Sequence, residues 1–255
     1  MKDKVAGTAL ALCLPFVSAC FNVEQRLKLN KDLSGEVNLS MTMNMEPIAL
    51  LVLGMQREMS GQKGDPTPQE IEQAKKEILA SGKTRRSQRF PPRALIEKNL
   101  PPGVKLLDTS ITEEGMGMAG RFSLAFDNVS KLAQIRIPAQ EGGSPQDKDP
   151  LAHPFPFDIK DEGSTLLLTM ETKNPVGDQK AQTGDIELPP ALQKQVEAVF
   201  NGSRIAFMLE TPLAILDHNA TRVDGQTLYW EYEPKALEKM TPQQRAQGVR
   251  VRLEK

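Results

Sequence analysis

Apolar and polar residues alternate along several separate stretches of the chain. Val37, Leu39, Met41, Met43 and Met45 alternate with Glu36, Asn38, Ser40, Thr42 and Asn44, which predicts a strand with one buried face. Val23 to Leu29 is its expected hairpin partner, with Lys31-Asp32-Leu33-Ser34-Gly35 as the turn. Phe122, Leu124 and Phe126 predict another strand. Ile159 and Leu166 to Met170 flank the turn Asp161-Glu162-Gly163, and Ile205, Phe207 and Leu209 alternate again. Leu228, Trp230 and Tyr232 follow the turn Asp224-Gly225. Val249, Val251 and Leu253 predict a last strand, with Arg250, Arg252 and Glu254 on its wet face.

Helical signals fall between these strands. Thr67-Pro68-Gln69-Glu70 reads as a capping box with proline at the first helical position. That helix is expected to run through Ile71, Ile78 and Leu79 and to stop at Gly82. Pro47 to Met59 is expected to be helical, with Ile48, Leu51, Val52, Met55 and Met59 facing one way. Pro189 opens a further helix, with Leu192, Val196 and Val199 on one stripe and Asn201-Gly202 as its stop. Shorter helices are expected from Arg93 to Leu100 and near Lys131, and Gln140 to Pro156 and Lys173 to Asp185 read as loops. Hairpin-like strands with helices between them predict an α+β fold, a mostly antiparallel sheet with helices packed on one face.

Composition narrows the function classes. Lys+Arg is 32 against Asp+Glu 33, so the net charge is −1, and a dedicated nucleic-acid binder would carry a strong basic excess. Aromatics are only 5%, too few for base-stacking platforms. The N-terminus is more informative. Lys2 and Lys4 precede Val5 to Val17, a run that is apolar apart from Thr8. It is shorter than the roughly 20 residues a membrane-spanning helix needs, and a basic start before a short apolar core is the layout of a secretory signal.

The run ends Val17-Ser18-Ala19-Cys20, which resembles the lipobox of bacterial lipoproteins. The resemblance implies a signal peptide over residues 1–19, cleavage after Ala19, and Cys20 as the lipidated first residue of one α+β extracytoplasmic domain, residues 20–255, with a helical insertion near 55–90. The chain's other cysteine, Cys13, would leave with the signal, so the mature chain would hold no disulfide pair. Two acyl chains hold a protein on a membrane where one gives only marginal binding. Phe21 and Asn22 follow the cysteine. An aspartate there would resemble the inner-membrane retention signal of Gram-negative lipoproteins, and its absence favours the outer membrane in such a cell and the outer face of the cell membrane otherwise.

Two further segments carry a second resemblance. Leu27 to Val37 gives a strand, a polar turn with Ser34-Gly35, and a second strand; Thr211 to Ala220, then Asp224 to Trp230, gives a proline, an Asn-Ala pair, a turn and a tryptophan strand. Together they look like the LppM-like lipoprotein domains. The resemblance implies a membrane-anchored α+β domain, and lipid or glycolipid binding has been suggested for mycobacterial members. The matched segments carry no catalytic residues. Asn219 can occupy a left-handed turn, and Trp230 can anchor a core.

Candidate chemistry is sparse. The two histidines, His153 and His218, stand in an extended loop and a predicted turn and read as unrelated surface imidazoles, so no metal site and no cofactor is expected. Met41, Met43 and Met45 share a strand face that continues through Leu39 and Val37, and Met116 and Met118 recur in a Gly-rich turn. They read as core or cavity lining, although thioethers also suit Cu(I). Glu113-Glu114 and Asp161-Glu162 stand in predicted turns beside glycine, where solvated charge is the default. No nucleophile or phosphate-binding motif is present, so no catalytic residue is assigned. Lys83, Arg85, Arg86 and Arg89, with Arg93 close by, form a basic cluster that could meet anionic lipid or be a solvated linker. The reading is a non-enzymatic lipoprotein acting as a binding or envelope-assembly module, for a lipid or glycolipid. The alternatives are an envelope enzyme with a dispersed site and a Met-based Cu(I) carrier.

Overall fold

The structure is a computed structural model that describes residues 21–62, 66–86, 92–136, 154–170, 202–233 and 248–255, with positions 236, 240, 241, 243 and 244. The strands are β1 (Phe21–Leu29), β2 (Gly35–Asn44), β3 (Val104–Glu114), β4 (Gly117–Phe126), β5 (Phe157–Asp161), β6 (Thr165–Met170), β7 (Arg204–Glu210), β8 (Ile215–His218), β9 (Arg222–Asp224), β10 (Thr227–Tyr232) and β11 (Val249–Glu254). The helices are α1 (Glu46–Met59), α2 (Pro68–Arg86) and α3 (Arg93–Lys98), with a short 3-10 helix at Val129–Gln134.

The strands form two sheets, ordered β3-β4-β2-β1-β7-β10-β9 and β5-β6-β11-β8. β1 and β7 pair in parallel; the other pairings among the described strands are antiparallel. The period-two residues build the shared interior. Leu27, Val37, Leu124, Leu209 and Leu228 are adjacent across the large sheet and buried. Leu166, Leu168, Val249, Val251 and Leu253 of the small sheet belong to the same hydrophobic cluster. A run of aromatic contacts, Phe122 to Phe155, Phe157, Phe207 and Trp230, crosses from one sheet to the other with ring centroids 5.4–6.4 Å apart.

The expected mixture of helices and mostly antiparallel strands is present, and helices packed together on one face of a sheet are not seen among the described residues. Among the described residues, the small sheet joins the core face of the large one. α1 and α2 pack against each other instead, tied by Arg57–Glu70 and Lys75–Glu46 ion pairs of 2.5 Å each. Among the described residues, Ile96 of α3 and Val129 and Leu132 of the 3-10 helix join the shared core, and Ala49 and Leu53 of α1 are buried as well. Among the described residues strands outnumber helices, and opposing apolar sheet faces bury each other.

The capping box is present: Glu70 accepts from the Thr67 N–H at 2.7 Å, and the Glu70 N–H donates to the Thr67 hydroxyl at 3.3 Å. Gly82 does not stop α2, which continues to Arg86. One glycine costs a helix only about 1 kcal/mol, and lysine and arginine after it are good helix formers that also suit a C-terminus. The β1–β2 turn is built otherwise than its residue types imply. Leu33, not a glycine, takes the left-handed conformation at φ 65, and Asp32 accepts from the Ser34 N–H at 3.1 Å and hydroxyl at 2.6 Å. Gly35 is required for space, since a Cβ there would run into the Lys28 carbonyl oxygen and meet the Phe126 ring at 2.9 Å. Gly35→Ala is expected to lower stability by about 2 kcal/mol, as overpacking between fixed strands does, measurable by urea unfolding. Asn219 does not occupy a left-handed turn; Leu33 is the non-glycine residue with positive φ among the described residues.

Residues 1–20, with the signal-like run and Cys20, lie outside the described residues. So do Arg89, His153, most of the 140–156 loop, the 173–185 loop and the helix expected from Pro189.

Candidate functional site

The end of the large sheet next to residue 21 collects apolar side chains from four strands. Phe21 of β1 pairs with Met43 of β2, and Met43 pairs with Met118 of β4. In the next row Val23 pairs with Met41, Met41 with Gly120, and Gly120 with Ile111 of β3. These rows are only partly buried, whereas Leu27 and Val37 further along the same strands are fully buried. The core face thus runs outward into a methionine-rich rim. Met118 belongs to β4, not to the turn expected for it. Its parity with Phe122, Leu124 and Phe126 was the signal that could have placed it there.

α1 rises from this rim. The Met45 N–H donates to the Met116 carbonyl at 2.9 Å, and the Asn44 side chain accepts from the Glu46 N–H at 3.0 Å. Ala49 and Leu53 are buried, while Leu50, Val52 and Met55 are 38–39% exposed. Pro47 to Met55 carries no charge, so the expected single apolar stripe is instead a helix that is apolar on several sides.

One row inward, Gln25 lies between Leu39 and Phe207. It is 6% exposed, and its Nε2 has no hydrogen-bond partner among the described residues. A buried amide donor left unpaired costs about 1–3 kcal/mol. Gln25→Leu is therefore expected to raise the urea midpoint; a lowered midpoint would mean that the amide has a partner within the fold.

The remaining candidates separate. Lys83, Arg85 and Arg86 fall in the last turns of α2. Arg93 pairs with Glu97 at 2.8 Å and donates to the Leu106 carbonyl at 3.1 Å, a structural role at the α3–β3 junction. His218 ends β8 rather than lying in a turn, and its Nδ1 accepts from the Ala220 N–H at 3.2 Å. Glu113 and Glu114 are the exposed end of β3. Asp161 and Glu162 hold the small sheet together through Lys255 at 2.5 Å and Arg252 at 3.2 Å. Among the described residues, no three His, Cys, Asp or Glu side chains are grouped to hold a metal ion.

The Lys255 ammonium, then the Gly163 N–H, hold the Asp161 carboxyl below its ordinary 3.8. The Thr67 N–H and hydroxyl, then Arg57, hold Glu70 below its ordinary 4.5. A carboxyl lowered by folding stabilises above its unfolded value and loses that contribution as pH falls through the lower folded value. Acidification through the carboxylate range is expected to lower the urea midpoint. Asp161→Asn and Glu70→Gln should each flatten that dependence.

No protein-family model and no curated protein matches the chain. Among solved structures it is similar to the folded domain of LppM from Mycobacterium tuberculosis, determined by NMR. The identity is 8% and the TM-score 0.43, over 92% of this chain and 90% of that one. A likeness that distant carries no functional weight. No helix among the described residues is long and apolar enough to cross a membrane.

Proposed function

We propose that this chain is an extracytoplasmic lipoprotein, held on a bilayer by an acylated Cys20, which serves there as a non-enzymatic binding or envelope-assembly module for a lipid or glycolipid. The observation that carries the reading is Val17-Ser18-Ala19-Cys20 after a basic start and a short apolar run. In this reading residues 1–19 are removed. β1 starts at Phe21, so the anchor joins the folded body with no linker. The partly buried methionine rim offers adaptable apolar surface next to that anchor. Lys83, Arg85, Arg86 and Arg89 meet anionic headgroups, at about 1 kcal/mol for each charge near the surface. The protein is on the outer membrane in a Gram-negative cell and on the outer face of the cell membrane otherwise.

The test has two arms. Cells fed a clickable palmitate should label this chain, and the mature N-terminus should be Cys20. Native mass spectrometry of the protein incubated with membrane extract should recover a bound lipid. An unlabelled chain removes the anchor, and a labelled chain that retains no lipid removes the ligand.

A second reading is favoured by one observation, the cross-strand pairing of Met43 with Met118 beside Met41. Thioethers gathered in this way suit Cu(I). Calorimetry with Cu(I) on the wild type and on Met43→Leu decides it, since a carrier would lose its binding heat in the variant.

A further inference from the structure

We infer that α1 lies embedded in the headgroup–acyl boundary of the same bilayer that receives the Cys20 anchor, so that the protein meets the membrane through a helix as well as through its lipid. The inference rests on the reading of Cys20 as the anchor and adds a face and an orientation to it.

The position of the anchor follows from the register. Phe21, the residue bonded to Cys20, pairs with Met43, and α1 begins at Glu46, three residues after Met43. The last residue before the fold and the root of the helix therefore leave the sheet at one end. Acyl chains on Cys20 hold that end against the bilayer surface. α1 cannot be far from it.

The helix has the surface such a position needs. The stretch Pro47 to Met55 is apolar on several sides, and a helix apolar all round is normally buried within protein or lipid. α1 is tied to α2 along one side, and Ala49 and Leu53 are buried. Leu50, Val52 and Met55 remain exposed. They make up three of the seven large exposed hydrophobic residues among the described ones, and Ile111 of the adjoining rim is a fourth. The charges of α1, Glu46, Arg57 and Glu58, stand near its ends, and Glu46 pairs with Lys75 and Arg57 with Glu70. The stretch between them, Pro47 to Met55, brings no charge into the apolar layer.

The depth is set by length. Fourteen residues make a helix of about 21 Å, short of the roughly 30 Å of hydrocarbon a spanning helix crosses. α1 therefore lies in the boundary region, as interfacial helices do.

The experiment uses the mature full-length chain, purified from envelopes and reconstituted into vesicles of phosphatidylcholine and phosphatidylglycerol. An acylated Cys20 has no free thiol, so Leu50→Cys, Val52→Cys and Met55→Cys each give a single site for an environment-sensitive fluorophore. Lys31→Cys, in the β1–β2 turn at the opposite end of the hairpin, is the control. The α1 probes should emit at shorter wavelength than the control. Lipids carrying a shallow nitroxide should quench them at least about twofold more than the control, with aqueous iodide showing the reverse order. Iodide quenching of all three probes equal to that at Lys31→Cys overturns the inference. So does protection from iodide without nitroxide quenching, which would place a protein, such as a second copy, on the helix. Intact mass of the same samples reports acylation. Acylated protein with water-exposed α1 probes refutes the inference and leaves the anchor standing. Unacylated protein refutes the anchor, and nitroxide quenching on added vesicles then decides α1 alone.

Discussion

Asn219→Ala is expected to lower the unfolding free energy by about 2 kcal/mol, read as a lower urea midpoint with an unchanged slope. Asn219 is an exposed residue in the connection between β8 and β9, where a surface substitution would ordinarily change little. Its amide, however, makes three bonds that tie the sheets together. Oδ1 accepts from the Trp230 Nε1–H at 2.7 Å and from the Arg250 N–H at 2.8 Å, and Nδ2 donates to the Gly248 carbonyl at 2.8 Å. Trp230 belongs to the large sheet and has no exposed surface, while Arg250 belongs to the small one. Alanine leaves the indole N–H without its acceptor and removes the only side chain of this connection that bonds to both sheets among the described residues. Asn219→Asp keeps both acceptor bonds but loses the donor to Gly248, so it should fall between wild type and alanine. A double-mutant cycle isolates the indole bond. Trp230→Phe removes the donor, and Asn219→Ala should cost about 1 kcal/mol less in that background. Equal losses in both backgrounds would show that Asn219 acts through the backbone alone.

The largest effect on location is expected from Cys20→Ala. The thiol is the atom that forms the thioether to a diacylglyceryl group, and alanine offers no nucleophile. Processing after Ala19 depends on that modification under the lipobox reading. The variant should take up no palmitate label and should retain its start at Met1, read by intact mass. Its apolar run from Val5 to Val17 is too short to span a bilayer, so a high-salt or carbonate wash should release far more of it from membranes than of the wild type. A variant that is still labelled, or that still begins at residue 20, would refute the anchor. Ser18→Thr, outside the acylated position, should leave labelling in place.

The strands were readable in the sequence wherever one face is buried and the other wet. Leu27, Leu29 and Val37 alternate with exposed Lys28 and Glu36, and such a period survives in the residues whatever the strand packs against. The hairpin turns at Asp161-Glu162-Gly163 and Asp224-Gly225 were legible for a similar reason, because their chemistry is local. β3 was not read. Its outer half, from Ser110 to Glu114, is exposed on both faces, and an irregularity between Leu106 and Asp108 shifts its register, leaving Leu107 46% exposed. The alternation that marks the other strands is therefore broken there.

The candidate site was legible only in pieces. Met41 and Met43 announced a face, yet their meeting with Met118 and Ile111 depends on the order β3-β4-β2-β1. Strand order is a long-range choice that no local spacing encodes. The convergence of the start of β1 and the root of α1 on one sheet end is of the same kind, since it follows from the pairing of Phe21 with Met43.

By itself, then, the sequence determined the strand periods, the capped start of α2, the near-neutral charge and the lipobox-like address, all of which are properties of neighbours in the chain. The tertiary structure alone decided that a second sheet joins the core face, that α1 keeps Leu50, Val52 and Met55 uncovered, and that an exposed asparagine bonds to both sheets. Those outcomes depend on which surfaces meet. Burial rewards any apolar face that finds another, and the identity of the partner is settled only when the whole chain is folded.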